Sequence, residues 1–171
     1  MRDFNVFNQL QSNDPGYSTP VVINDLIDIT ADVTTPVDPY DSGWRLEMVE
    51  SVGEKVLSTS NTFENTVYFT SFSPGSVANA CVGSGGLNRL YAVDVRTGAP
   101  TQDYDTLVND PNLDEDDRFR QLAQVGIAPE PVLLFPEDAP EDPIMCVGVE
   151  CDDAGVTNAA QLTFWTQDGS Q

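Results

Sequence analysis

Asp110-Pro111-Asn112-Leu113-Asp114-Glu115-Asp116-Asp117 places oxygen-bearing side chains at alternate positions. A tight loop turns alternate side chains inward, which suits a hard cation, and EF-hand-type loops use positions 1, 3, 5 and 7 in this way. Asp110, Asn112, Asp114 and Asp116 are therefore the candidate calcium ligands. Glu115 stands where such a loop has its turn glycine, and Gln121 stands where a bidentate Glu is expected. Without a ligand, the same run is a solvated acidic loop.

The chain has three cysteines, Cys81, Cys146 and Cys151, which permit three alternative single bridges. Cys146 and Cys151 flank Val147-Gly148-Val149-Glu150, and two strands turning at Gly148 would bring them within disulfide reach. Cys81 would then be left over, and buried reduced thiols are the alternative. The spacing does not make a zinc knuckle. With no histidine, the chain holds no Ser-His-Asp triad, no Cys-His dyad and no His-ligated metal or haem. None of the 28 acids is marked out as a glycosidase pair.

The 171 residues carry 7 Lys+Arg against 28 Asp+Glu, a formal charge of −21. Such a chain repels nucleic-acid phosphates and anionic lipid surfaces, so neither is an expected partner. The charge exceeds what solubility requires. It fits a hydrated surface screened by high salt, as in a salt-loving organism, or an acidic calcium-holding domain. At 40% hydrophobic residues, the chain has enough apolar material for a core. No apolar run reaches the roughly 18–20 residues of a membrane span, and MRDFNVFNQL shows no secretory h-region.

The elements that would position these groups read as strands. Thr66-Val67-Tyr68-Phe69-Thr70-Ser71-Phe72 and Leu90-Tyr91-Ala92-Val93-Asp94-Val95 are the clearest, because β-branched and aromatic residues suit a pleated surface. Shorter β-prone runs cover 21–23, 26–29, 44–48, 55–58, 131–135, 144–149 and 159–165. Residues 119–125 are ambiguous, and their place between β units favours a strand. Pro74-Gly75, Thr97-Gly98 and Gly148 mark turns. Short strands separated by turns imply an all-β sandwich, barrel or propeller. Trp44, Tyr68, Phe69, Phe72, Tyr91 and Trp165 are expected in the core; an exposed Trp would instead suit a sugar or a protein partner.

Five ordered segments carry a family resemblance. They are Leu26-Ile27-Asp28-Ile29-Thr30; Gly43-Trp44-Arg45-Leu46 with Gly53-Glu54-Lys55-Val56-Leu57; the strand 66–72; Cys81 and Gly85-Gly86 leading into LNRLYAVDVRTG; and Val125-Gly126-Ile127-Ala128-Pro129-Glu130-Pro131-Val132. Together they resemble the C-terminal β-propeller of the PilC/PilY family of type IV pilus assembly and adhesion factors. The resemblance covers roughly 17–165, after a turn-rich segment 1–16 and before a tail 166–171. It implies antiparallel four-stranded blades. The length suffices for about two or three blades, so a partial quinoprotein-like propeller is expected, as a fragment of a larger ring.

The resemblance further implies a non-enzymatic role in pilus extension, surface attachment and twitching motility. Expected partners are pilins, minor pilins and other pilus-tip components, with surface or host ligands, at the cell surface or in the periplasm. The family is also known for a calcium site of this loop type, which makes calcium the expected cofactor. The competing readings are a carbohydrate-binding or quinoprotein-like propeller module, and a structural acidic domain of a halophile.

Overall fold

The computed structural model describes residues 21–35, 37, 41–74, 85–104 and 113–157. These are mostly strands, with helix limited to single 3₁₀ turns at Ile23–Asp25 and Asp116–Arg118. The class is all-β, and the sheets are open, with no closed ring among the described residues.

The strands are β1 (Ile27–Asp28), β2 (Trp44–Arg45), β3 (Lys55–Val56), β4 (Asn61–Phe63), β5 (Thr66–Ser73), β6 (Leu87–Asp94), β7 (Phe119–Leu122), β8 (Val132–Leu134), β9 (Ile144–Val147) and β10 (Glu150–Asp153). β5 and β6 pair antiparallel over their full eight residues, from Thr66 opposite Asp94 to Ser73 opposite Leu87. β7 pairs with the far side of β6. β3 and β4 both pair with the near side of β5 and act as one interrupted outer strand. The register slips by two residues between them, and the Ser58 hydroxyl fills the gap, accepting from Thr70 N at 3.4 Å. The result is an antiparallel meander four strands wide, in chain order. β8, β9 and β10 form a second, three-stranded antiparallel meander.

Because side chains alternate across a strand, the central sheet has two faces. Tyr68, Leu90, Ala92 and Leu122 pack against Met145 and Val147 of the second sheet, with Ala128 and Ala154. The Tyr68 hydroxyl donates to Ala154 O at 2.7 Å, so the one polar atom of that ring is satisfied inside the core. Val93, on the opposite face, packs with Ile29 and Trp44.

Turn chemistry explains the tight connections. Phe63 opposite Thr66 leaves a two-residue loop, Glu64-Asn65, with φ of 45° and 64°, the left-handed pair a type I′ hairpin needs. After β6 the Asp94 carboxylate accepts from Arg96 N and Thr97 N, both at 2.8 Å, and Gly98 closes the turn at φ 68°. A Cβ on Gly98 would sit 2.0 Å from Ile29 Cδ1, so glycine is required there by both backbone and packing.

Several expected strands are shorter than their apolar runs. Run 26–29 yields only β1, 44–48 only β2, 55–58 only β3 and 119–125 only β7. Residues 21–23 lead into a 3₁₀ turn, because the Asp25 carboxylate accepts from Val22 N at 2.9 Å and bends the backbone. β1 and β2 are parallel, a departure from an all-antiparallel arrangement. The 159–165 run and Trp165 lie outside the described residues.

Candidate functional site

Of the candidate calcium ligands, Asp110 and Asn112 lie outside the described residues, whereas Asp114 and Asp116 are both exposed on the approach to β7. Asp114 Oδ1 accepts from Asp116 N at 2.9 Å, an Asx-type turn that places the two residues at one bend. Asp117 points the other way and is buried. Its carboxylate accepts from Tyr104 N at 2.9 Å and Asp114 N at 3.0 Å. The run thus divides: Asp114, Glu115 and Asp116 face water, and Asp117 ties the loop to the body. Gln121, at the twelfth position, sits on β7 opposite Arg89, on a strand where an EF-hand would have a helix. Two solvent-facing carboxylates at one bend are compatible with a hard cation. Among the described residues no group of three or more metal-ligating side chains forms.

Cys146 and Cys151 are register partners across β9 and β10, joined by a disulfide with Cα atoms 4.1 Å apart. Gly148, at φ 60°, opens the two-residue loop that makes them opposite. Cys81 lies outside the described residues. The Glu150 carboxylate beside this pair accepts from Ala123 N at 3.1 Å and Gln124 N at 2.9 Å, tying the hairpin to the end of β7.

Four buried polar residues that the sequence did not mark out, Glu54, Arg89, Arg118 and Asn88, hold the layers together. Glu54 is buried, forms an ion pair with Arg89 at 3.0 Å, and accepts from the Tyr91 hydroxyl at 3.1 Å and from the Ser71 hydroxyl. Arg89 also lies over the Phe119 ring, 5.2 Å from its centroid. Burial, with the Glu54 carboxylate alongside, pushes the Tyr91 hydroxyl far above its ordinary range. Arg118 is 2% exposed and donates from Nε to Gly98 O, from Nη1 to Thr30 O and from Nη2 to Asp32 O. Asn88 is fully buried. Its amide donates to Gln124 O and Gly126 O, and its Oδ1 accepts from Ala128 N. The signal for Arg89 and Asn88 was a polar residue inside the apolar run of β6. Arg118 carried no such signal.

A groove of about 480 Å³ lies on the face of the central sheet away from the second sheet. Trp44, Leu46 and Met48 form one wall, and Val56 with Ser58, Ser60 and Thr62 the other. Val67 and Phe69 are the floor, and among the described residues no charged side chain lines it. Phe69 stacks one ring face on Tyr91 with centroids 4.8 Å apart. Trp44 is 5% exposed and its Nε1 donates to Val95 O at 3.3 Å, so the ring is fixed in the wall and not free at the surface.

A second apolar surface lies at the other end of the stack. Register puts Val132 beside Cys146 and Leu134 beside Ile144 on the outer face of the β8–β10 sheet, with Asp153 at its margin. Val132 and Leu134 are 45% and 48% exposed. Among the described residues no helix is long and apolar enough to cross a membrane. Comparison of the chain with protein-family models, with curated proteins and with solved structures found no match.

Proposed function

We propose that this chain is a non-enzymatic, partial β-propeller segment of a type IV pilus biogenesis and adhesion factor, supporting pilus extension and surface attachment. The observation that carries the reading is the pair of consecutive antiparallel meanders, β3/β4-β5-β6-β7 and β8-β9-β10, stacked face to face on one core. Successive blades of a propeller are antiparallel meanders in chain order that pack in this way. The segments that carry the resemblance lie on or beside these strands. Gly43-Trp44 enters β2, Glu54-Lys55-Val56 enters β3, 66–72 is β5, and LNRLYAVD is β6, closed by Thr97-Gly98. Asn88 then fixes 124–128 as the bridge from the first meander to the second.

The partners in this reading are pilins, minor pilins and other tip components, met by loops on a rigid scaffold at the cell surface or in the periplasm. Calcium, when bound, would be held by Asp110, Asn112, Asp114 and Asp116, and would offset the mutual repulsion of these side chains and order the loop.

Two experiments test this. The tagged chain, added to type IV pili sheared from piliated cells, is expected to cosediment with the fibres; recovery wholly in the supernatant, with the chain folded, sinks the pilus assignment. Thermal unfolding in high salt with millimolar calcium and then EDTA tests the loop, because a ligand that binds only the folded state raises the midpoint. Midpoints that coincide remove calcium from the reading and leave the scaffold role untouched.

A further inference from the structure

We propose that the Cys146–Cys151 disulfide is a redox switch: a dithiol reduces it in the folded chain, β10 then leaves β9, and the Glu150 carboxylate lets go of the end of β7. The bond is open to attack. Cys146 and Cys151 share the outer face of the β8–β10 sheet, opposite the face that Met145 and Val147 turn to the core. Cys146 is 7% exposed, whereas Cys151 is exposed on β10, an edge strand that among the described residues pairs only with β9. Access to a sulfur is one of the factors that set the rate of thiol–disulfide exchange.

β10 has little else to hold it. Its residues are Glu150, Cys151, Asp152 and Asp153, so three of the four carry carboxylates. Asp and Glu are poor strand formers, and 151–153 are exposed, so neither propensity nor apolar burial favours the pairing. In a chain of formal charge −21, repulsion between like charges favours the strand opened into water. The Glu150 bonds to Ala123 N and Gln124 N are exposed or only partly buried, so water replaces them once the hairpin opens. The neighbours are held differently. β9 pairs with β8 and buries Met145 and Val147, which are 1% and 0% exposed. Past β10, Ala154 is fully buried, donates from N to Pro143 O at 3.0 Å and accepts from the Tyr68 hydroxyl. Opening therefore stops at Val147 on one side and Ala154 on the other. The disulfide closes a short loop, with a sequence separation of 5, and a short loop restrains the unfolded chain least. It is thus a local clasp on β10, and the core does not depend on it.

A thiolate of the dithiol attacks Cys151 Sγ. The Sγ–Sγ bond breaks, and its electron pair leaves on Cys146 Sγ, which takes up a proton. The second thiolate then attacks the dithiol's own sulfur in the mixed disulfide and releases Cys151 as a thiolate, which takes up the other proton. The dithiol ends as a disulfide, and the two electrons and two protons it gave rest on Cys146 and Cys151. In the opened form the freed edge of β9 is a ready partner for another strand. The inference rests on the hairpin and stands whether or not the pilus assignment does.

Native-state hydrogen exchange of the full chain carrying Cys81→Ser, so that only this pair responds, tests it with and without millimolar dithiothreitol. Exchange at Ala123, Gln124 and the β10 amides is expected to speed up at least about tenfold on reduction, while Tyr68, Leu90 and Ala92 keep their protection. The Cys146→Ala, Cys151→Ala chain, without reductant, is expected to match the reduced form and to ignore dithiothreitol. Unchanged exchange at 123, 124 and 150–153 after full reduction overturns the proposal. So does a bond that dithiothreitol reaches only once the chain has unfolded, or a loss of protection in β5 and β6 as well, which makes the disulfide a staple for the whole fold. Should the alanine chain fail to fold, reoxidation of the reduced chain with oxidised glutathione takes its place: protection at 123, 124 and 150–153 is expected to return, and its failure to return sinks the switch.

Discussion

Arg118→Met should unfasten the N-terminal loop from the central sheet. The guanidinium donates to three backbone carbonyls, Gly98 O at 3.2 Å, Thr30 O at 3.0 Å and Asp32 O at 3.1 Å. It thereby joins the turn after β6 to the crossover between β1 and β2. A hydrogen bond to a charged donor nets about 1.5–3 kcal/mol, so three would amount to roughly 5–9 kcal/mol if each kept its full worth. Two terms reduce that sum. Burial of the guanidinium costs desolvation, which also lowers the Arg118 pKa. The Thr30 and Asp32 bonds are only partly buried, so water recovers part of those two.

The expected net loss from Arg118→Met is about 3 kcal/mol, close to that for removing one member of a buried charged pair. In a chain of this length that lowers the melting temperature by about 6–12 °C. Arg118→Lys should recover less than half, because a single ammonium cannot serve three carbonyls in the plane of a guanidinium fork. The assay is thermal unfolding in high salt, followed by far-UV circular dichroism. A Met variant that melts within about 2 °C of the wild type would refute the clasp, since 1 kcal/mol alone shifts a chain of this size by about 2–4 °C.

Gly98→Ala should cost about 2–4 kcal/mol in denaturant titrations, because it meets a left-handed φ and an overlap with Ile29 Cδ1 together; an unchanged midpoint would mean that the turn lies away from Ile29. Asn88→Asp keeps the shape but turns the donor toward Gln124 O and Gly126 O into an acceptor, so a loss of about 2–3 kcal/mol is expected. Hydrogen exchange at 124–128 should accelerate in that variant, and unchanged protection there would argue against the latch.

Burial raises the Tyr68 pKa to about 12. The folded state therefore holds this hydroxyl neutral after the unfolded chain has begun to ionise near 10. The stability it contributes is complete below pH 10 and is lost as pH rises toward 12. Phenolate absorbance that rises near pH 10 for every tyrosine, with no late component lost on unfolding, would count against this. At the acid end, hydrogen bonds from Thr30 to Asp28 and from Thr34 to Asp32 hold both carboxyls below their ordinary 3.8. Their contribution is present above that value and disappears as pH falls through the lower folded-state values; an acid unfolding curve unaltered by Thr34→Val would argue against the Asp32 part.

Much of the scaffold was legible because its signals are local. The alternation of 66–72 and 90–95, the Thr97-Gly98 turn and the glycine between Cys146 and Cys151 each depend on a few adjacent residues, and each became the expected strand or turn. The charge balance, from which nucleic acid and anionic membranes are not expected as partners, is a sum over the sequence and needs no coordinates. β4 was not legible. Asn61-Thr62-Phe63 has no apolar alternation, and it is a strand because Glu64-Asn65 turns it back onto β5. The parallel pairing of β1 with β2 was equally hidden, since Ile27 meets Trp44 only after a crossover.

The charged residues drew the clearest line. Charged side chains are ordinarily exposed, yet Glu54, Arg89, Asp117 and Arg118 are all buried. A charge goes inside only where partners satisfy it, most of them distant in the chain: Arg89 for Glu54, the amides of Tyr104 and nearby Asp114 for Asp117, and carbonyls of 30, 32 and 98 for Arg118. The groove arose in the same way, from a wall at 44–48 meeting a floor at 67–69. Sequence determined where strands and turns form, because backbone preference and side-chain alternation act over neighbours. Tertiary structure decided which strands pair, which charges are buried and which apolar faces stay open, because those depend on contacts between residues far apart in the chain.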